Sequence, residues 1–352
     1  MTTSPVVQGP RDVPELRLWL DEQWKPGRAY AAAAHQLMLG GPGVPASGVA
    51  AARQAENCAA WERRSLANGT LWWAAPEMVD LLNAAFASIP DDVTPADLPV
   101  PSPCGLIVFG APLVGHDARS GGELLVDGLV WNVATSLPPI PGYSDRPRVG
   151  LSISSYRCLD YSAGLGGNEL HLALATGAID NARPDGVTVS GGSVSYSLHG
   201  QTWAPLGRSD WPIHEPLDRK PWPLTDAQWA SMLEDRRFVA ALFTLLAQEG
   251  LASRTLERPE RPVVRRTQRA GIDRALADVR VVRLRRPHVE GDPEAEPSGR
   301  EWSHRWVVDG HWRWQACGPG RAERRLTYIA PYVKGPADKP LKTPTRVNAW
   351  VR

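Results

Sequence analysis

Between Gly105 and Leu198 the chain breaks into short strand-length runs: G-L-I-V-F-G, E-L-L-V-D-G-L-V-W-N-V, R-V-G-L-S-I-S-S-Y, E-L-H-L-A-L-A and S-V-S-Y-S-L. Stretches rich in Gly, Pro and Asp separate them. Such spacing predicts a mostly antiparallel sheet, whose neighbouring strands need only short connections. A sheet with an apolar face needs a cover, and one follows. Thr225-Asp-Ala-Gln228 has the form of a capping box, and the helix it opens repeats Trp229, Met232, Leu233, Val239, Leu242, Phe243 and Leu246 on roughly one face before Gly250. The expected fold class is α+β: a helical N-terminal region, a central mostly antiparallel sheet with a packed helix, and a small basic C-terminal β module.

Helical periodicity marks Pro14 to Trp24, an Ala-rich stretch from Val49 to Leu66, and a third segment from Pro76, a favourable first helical residue, to Ser88. Ile89 to Pro103 reads as a linker and Trp203 to Pro223 as a Trp/Pro-rich connector. Beyond Gly250 comes an arginine-rich connector, then V-R-V-V-R-L-R-R with strand alternation. Pro287 to Arg300 is an acidic loop rich in Pro and Gly, and runs with strand character extend to R-V-N-A-W-V-R. These boundaries divide the chain into a helical region (1–90), a central α+β domain (104–250), a basic connector (251–278) and a basic β module of about five strands (279–352).

The net charge of +1 conceals a division along the chain: residues 1–250 hold 17 basic against 26 acidic side chains, and residues 251–352 hold 22 against 12. A basic C-terminal part is suited to a polyanion, or to the acidic part of the same molecule. Of the 39 basic residues, 34 are arginine, which makes bidentate phosphate contacts that lysine cannot. Cysteines 58, 104, 158 and 317 are scattered without C-x-x-C spacing, which fits free thiols in a reducing compartment. The first residues, M-T-T-S-P-V-V-Q-G-P, lack the basic and apolar regions of a signal peptide, and no apolar run approaches the length of a membrane span. A cytoplasmic protein with no membrane partner is expected.

Trp302 to Gln315 reads W-S-H-R-W-V-V-D-G-H-W-R-W-Q, with four of the chain's 15 tryptophans. Asp-Gly between alternating residues is a strong hairpin signal, which predicts a ribbon turning at Asp309-Gly310. In that register Val308 faces His311, Trp306 faces Arg313 and Arg305 faces Trp314, so each face mixes arginine with tryptophan. Cross-strand pairs of this kind simply stabilise a small sheet, by roughly 0.5–1 kcal/mol each. They also form a platform on which unpaired bases stack while arginines hold phosphates. Candidate nucleic-acid-binding residues are therefore Arg305, Trp306, His311, Trp312, Arg313 and Trp314. To these are added Arg324, Arg325, Tyr328, Tyr332 and Lys334 downstream, and Arg265, Arg266, Arg269, Arg283, Arg285 and Arg286 upstream.

His304 and His311 are the candidate acid-base groups if the chain is an enzyme, as a metal-independent nuclease. As zinc ligands they fail: the hairpin register separates them by about 13 Å. Gly110-A-P-L-V-Gly115 has P-loop glycine spacing, but His116-Asp117 replaces the Lys and Ser/Thr that hold phosphate and Mg²⁺. No G-x-S-x-G or H-E-x-x-H is present, and no cofactor or metal is expected.

The run H-R-W-V-V-D-G-H-W-R-W-Q-A-C-G-P-G-R, followed by Y-I-A-P-Y-V-K-G, resembles the C-terminal signature of a protein family found in phages, plasmids and actinobacterial genomes, which includes a type V anti-CRISPR protein. In that family a basic hairpin containing G-H-W precedes a Trp/Tyr-x-x-Pro strand ending in V-x-G or V-x-N. The likeness makes Gly310, His311, Trp312 and Tyr328 to Gly335 signature positions; Val308-Asp309 stands where the family often has arginines. The anti-CRISPR member acts on the message of the CRISPR nuclease during translation. The resemblance thus implies a mobile-element-type regulatory or anti-defence protein. Its C-terminal module would bind RNA, including ribosome-associated message, and its N-terminal part a host protein or nascent peptide. The alternatives are the nuclease and a purely protein-binding inhibitor.

Overall fold

The computed structural model describes residues 5–26, 28, 48–90, 93, 99–116, 123–137, 148–160, 187–190, 193–196, 201–212, 226–285, 303–336 and 338–342. Their architecture is α+β, built around one seven-stranded sheet. In spatial order its strands are β7 (Gln201–Pro212), β4 (Arg148–Asp160), β3 (Glu123–Leu137), β2 (Cys104–His116), β1 (Thr70–Ala74), β9 (Val279–Leu284) and β8 (Ala252–Glu257). The sheet is mixed: four neighbouring pairs are antiparallel, while β1 runs parallel to both β2 and β9. A separate short hairpin joins β5 (Val187–Ser190) to β6 (Ser193–Tyr196).

Helices cover both faces of the sheet. On one lie α1 (Val13–Gln23) and α2 (Gly48–Asn68), with α5 (Arg261–Arg269) beside α1; on the other lie α3 (Pro76–Phe86) and α4 (Asp226–Ala247). Proline stands in the first two positions of α1, α3 and α5, where its missing N–H costs no helical hydrogen bond. Of the apolar stripe expected on α4, Val239, Leu242, Phe243 and Leu246 are buried; Thr225 of the capping box lies outside the described residues.

Two cores result. Under α1 and α2, Leu16, Leu20 and Leu66 meet Leu71, Leu106, Val108, Val279 and Val281. Under α3 and α4, Val79, Leu82, Val239 and Phe243 meet Trp72, Ile107, Trp131 and Val282. Trp131 lies edge-on to Phe243 at 5.5 Å, and its ring covers Gly105 so closely that a Cβ there would fall 2.1 Å from it. The first core also contains a polar cluster. Glu62 of α2 accepts from the hydroxyls of Ser154 and Tyr156, the latter at 3.1 Å, and Trp24 Nε1 donates to Tyr156 Oη at 2.9 Å.

Several sequence boundaries dissolve in this arrangement. The first ten residues of the connector expected at Trp203 to Pro223 belong to the edge strand β7, and the remainder lies outside the described residues; Pro205 stands beside a register shift, where its missing N–H breaks no central ladder. The basic connector at 251–278 is instead a strand, a helix and a 3₁₀ turn at Arg274–Leu276. β9, assigned from sequence to the C-terminal module, lies between β1 and β8 in the central sheet. It does so because Val279, Val281 and Val282 are apolar toward both layers, as a central strand covered on both sides requires. β1, T-L-W-W-A, likewise joins the sheet from within the N-terminal region. The expected strand E-L-H-L-A-L-A lies outside the described residues. Among those described, no helix is long and apolar enough to cross a membrane.

Candidate nucleic-acid interface

The tryptophan-rich segment forms a ribbon whose turn is not at Asp309-Gly310. β10 (Trp306–Val308) pairs antiparallel with β13 (Tyr332–Lys334), and β11 (His311–Cys317) with β12 (Glu323–Ile329). Trp306 faces Lys334, Val308 faces Tyr332, His311 faces Ile329 and Cys317 faces Glu323, so both short ladders share one register. The ribbon is therefore a single long hairpin, interrupted at Asp309-Gly310 on one arm and Ala330-Pro331 on the other, where proline has no N–H to give. Its turn is G-P-G-R-A at 318–322. There Gly318, Gly320 and Arg321 take positive φ of 72°, 63° and 58°.

Gly310 serves another purpose. A Cβ on it would lie 2.0 Å from Tyr328 Oη and 3.0 Å from Pro331 Cδ, so the bare backbone gives the tyrosine ring its place. That ring is 1% exposed and tilted against Trp312 at 5.0 Å. Trp312 Nε1 donates at 2.7 Å to the carbonyl of Ala85 in the last turn of α3, which also accepts from the Ser88 amide at 3.2 Å and the Ser88 hydroxyl at 3.3 Å. Gln248, just beyond α4, bonds both backbone groups of Tyr328. Leu326 completes the contact with the core. Burial holds the Tyr328 hydroxyl above its usual pKa, and the nearby Asp309 adds to the rise.

Pairing in this register separates the side chains by type. Trp312, Trp314, Ala316, Arg324, Leu326 and Tyr328 share the face that meets the core. His311, Arg313, Gln315, Arg325 and Thr327 share the outer one. Arg313 and Arg325 are diagonal neighbours there, roughly 7 Å apart at Cβ, with Gln315 and Thr327 between. Arg313 Nη2 donates to Gln315 Oε1 at 3.2 Å. Residues 318–325 at the tip are all exposed, and Arg321, Arg324 and Arg325 have no ion-pair partner among the described residues. Between residues 303 and 336 six basic side chains stand against two acidic ones, Asp309 and Glu323.

The expected mixture of arginine and tryptophan on each face is thus overturned, because the true turn lies about ten residues downstream of the expected one. Tyr328 is buried in the core, and Trp312 packs against it half-buried, with its indole N–H committed to the Ala85 carbonyl. Trp306 packs between His304, edge-on at 5.9 Å, and Lys334, whose Nζ lies 6.0 Å from its ring. Arg305 is fastened to the downstream chain, donating from Nε to the Lys339 carbonyl at 2.8 Å. Tyr332 is 43% exposed and Trp314 37%.

The upstream arginines do not join this surface. Arg265, Arg266 and Arg269 are exposed on α5, beside α1 and across the sheet from the ribbon, and Arg266 pairs with Glu15. Arg283 donates to Thr255 Oγ1 at 3.0 Å near the β8 edge. Arg285 lines a shallow depression there with Glu249, Ala252, Ser253 and Arg254. Arg286 lies outside the described residues. His304 Nδ1 lies 3.1 Å from Ser303 Oγ, and His311 Nδ1 lies 3.1 Å from the Asp309 carbonyl. The two histidines stand seven positions apart along the chain, and among the described residues no three His, Cys, Asp or Glu side chains gather to hold a metal ion.

Sequence reading missed Arg321. Its signal was the G-P-G-R string itself, whose two glycines mark a turn needing positive φ. A non-glycine residue in that backbone region is uncommon and costs of order 1 kcal/mol. Comparison with protein-family models and with curated proteins finds no match.

Proposed function

We propose that this chain is a regulatory RNA-binding protein whose contact element is the exposed part of the C-terminal hairpin. The supporting observation is the cluster of Arg321, Arg324 and Arg325 at the tip, continued by Arg313, in which no guanidinium is neutralised by a carboxylate of the described residues. Four arginines on a rigid two-stranded scaffold are preorganised for phosphate. Each contact releases condensed counterions, so affinity depends steeply on salt. The scaffold is rigid because its inner face is built into the core through Trp312, Leu326 and Tyr328. The acidic N-terminal part is left to engage a protein, nascent peptide or ribosome, in keeping with the opposite charge of residues 1–250.

Titration of the full chain into labelled RNA between roughly 50 and 300 mM KCl tests the reading. Binding should weaken linearly on a log-log plot, with slope near −0.7 for each phosphate contacted on a single strand, or −0.9 on a duplex. Replacing Arg321, Arg324 and Arg325 together by Ala should flatten the slope by about two to three contacts. Absence of binding at the lowest salt would overturn it.

A further inference from the structure

Resting on that RNA-binding reading, we infer that the nucleic acid is gripped as a paired helix, through its backbone and groove, and not as an unpaired strand through base stacking. The two modes demand different side chains in the open. Stacking requires a row of ring faces free to solvent at the spacing of successive bases. Helix recognition requires long hydrogen-bonding and cationic side chains on a surface that follows a groove, because the bases are already stacked on one another.

The hairpin provides the second set. Its outer face presents His311, Arg313, Gln315, Arg325 and Thr327, with the single imidazole of His311 and no Trp, Tyr or Phe among them, which is no row of ring faces. Trp312 and Tyr328, which a stacking platform would use, are turned into the core and committed to Ala85 and Gln248. Of the other Trp and Tyr rings that stay partly open, Trp306 is held between His304, edge-on, and Lys334, whose ammonium stands over the ring; Trp314 lies on the inner face opposite Leu326, and Tyr332 sits opposite Val308. Six residues of strand separate the Trp314 and Tyr332 positions, about 20 Å, which is too far for neighbouring bases to use both.

Dimensions agree with this choice. The seven paired positions of β11 and β12 extend about 23 Å, and the arms carry their cations on both strands, so rows of phosphate on either side of a groove are within reach together. A two-stranded ribbon fits the major groove of B-form DNA. In an A-form helix the wide, shallow minor groove, lined by 2′-hydroxyls, offers the surface that a flat polar face can meet. Gln315 and Thr327, placed between Arg313 and Arg325, supply both donors and acceptors for those hydroxyls.

The full chain is titrated by fluorescence anisotropy against three probes of roughly 20 nucleotides or base pairs: an unstructured RNA strand, the same strand in an RNA duplex, and the corresponding DNA duplex. The RNA duplex should bind at least about tenfold more tightly than the strand. Replacing Arg313 and Arg325 together by Ala should weaken duplex binding by roughly tenfold or more while the near-ultraviolet circular dichroism stays unchanged. Equal or tighter binding of the single strand would overturn the paired-helix inference and leave RNA binding standing. Binding confined to the DNA duplex would support the paired helix and overturn the RNA reading. Absence of binding to all three would overturn both.

Discussion

Gln248 fastens the hairpin to the body by pairing its side-chain amide with the backbone of Tyr328: Nε2 donates to the Tyr328 carbonyl at 2.7 Å, and Oε1 accepts from its amide nitrogen at 3.1 Å. Tyr328 stands opposite Trp312 with the two rings in contact, as in a ladder position where backbone groups point away from the partner strand. One side chain therefore does for this residue what another strand would do.

The consequence is testable through Gln248→Ala. Both backbone groups lose their partners at a part-buried site, for a cost of about 2 kcal/mol in unfolding free energy. Hydrogen exchange should locate the loss: the Tyr328 amide should exchange faster by tenfold or more, with β2 and β3 little changed. Uniform acceleration across the whole sheet would mean that Gln248 does not act locally on the ribbon.

Gly310 separates two accounts of the Asp-Gly pair. At a hairpin turn with positive φ, Asn is nearly as acceptable as Gly. In the ribbon as folded, any Cβ at 310 meets the Tyr328 ring, so Gly310→Ala and Gly310→Asn should both lower stability, by roughly 1–3 kcal/mol. Adding Tyr328→Phe removes the atom 2.0 Å away and should restore part of the loss to the Ala variant. Tolerance of Asn with rejection of Ala would restore the turn at 309–310.

Why the sequence misplaced this turn is a matter of register. A turn at Asp309-Gly310 pairs odd with even positions, which puts Trp306 opposite Arg313. A turn at 318–322 pairs even with even, which gathers Trp312 and Trp314 on one face and His311 and Arg313 on the other. Shifting a register by one residue exchanges every face, so Trp312 and Tyr328, expected among the contact residues, turn inward. The local signal was genuine, but Gly310 answers a contact with Tyr328, eighteen positions away, which no window around it contains. The spans that were legible, α3, α4 and β2 to β4, carry their information within one run. β8 and β9 did not reveal that they extend the central sheet, because the choice of β1 as neighbour depends on Trp73 and Leu71 packing with Val279 and Val281 across two hundred residues.

Tyr156 links three elements through one hydroxyl, which accepts from Trp24 Nε1 and donates to Glu62 Oε2. Tyr156→Phe leaves the indole N–H and a buried carboxylate oxygen each short of one bond. The expected loss is about 2 kcal/mol in denaturant unfolding. Trp24→Phe in the same background should then cost less than it does alone, since the shared bond is already gone. Strict additivity would show that the two side chains contribute independently.

Arg17 makes the opposite prediction, a gain in stability. It is fully buried in α1, where Nη1 donates to the Leu276 carbonyl at 2.7 Å while Nε and Nη2 have no hydrogen-bond partner among the described residues. No carboxylate of the described residues pairs with it, and burial pushes its pKa down to about 10. A base whose folded pKa lies below its unfolded one destabilises the fold wherever it is charged, here by on the order of 3 kcal/mol at neutral pH. Arg17→Met keeps most of the volume, removes the charge and forfeits one hydrogen bond worth about 1 kcal/mol. The variant should therefore be more stable by roughly 1–2 kcal/mol in urea. The sign of the linkage fixes the pH profile. The unfolded chain binds the extra proton only above about pH 10, so the gain should stay level from about pH 6 to 9 and shrink only beyond that. A loss of stability on removing Arg17, at any pH in that window, would mean that its guanidinium is compensated by a partner it does not have here.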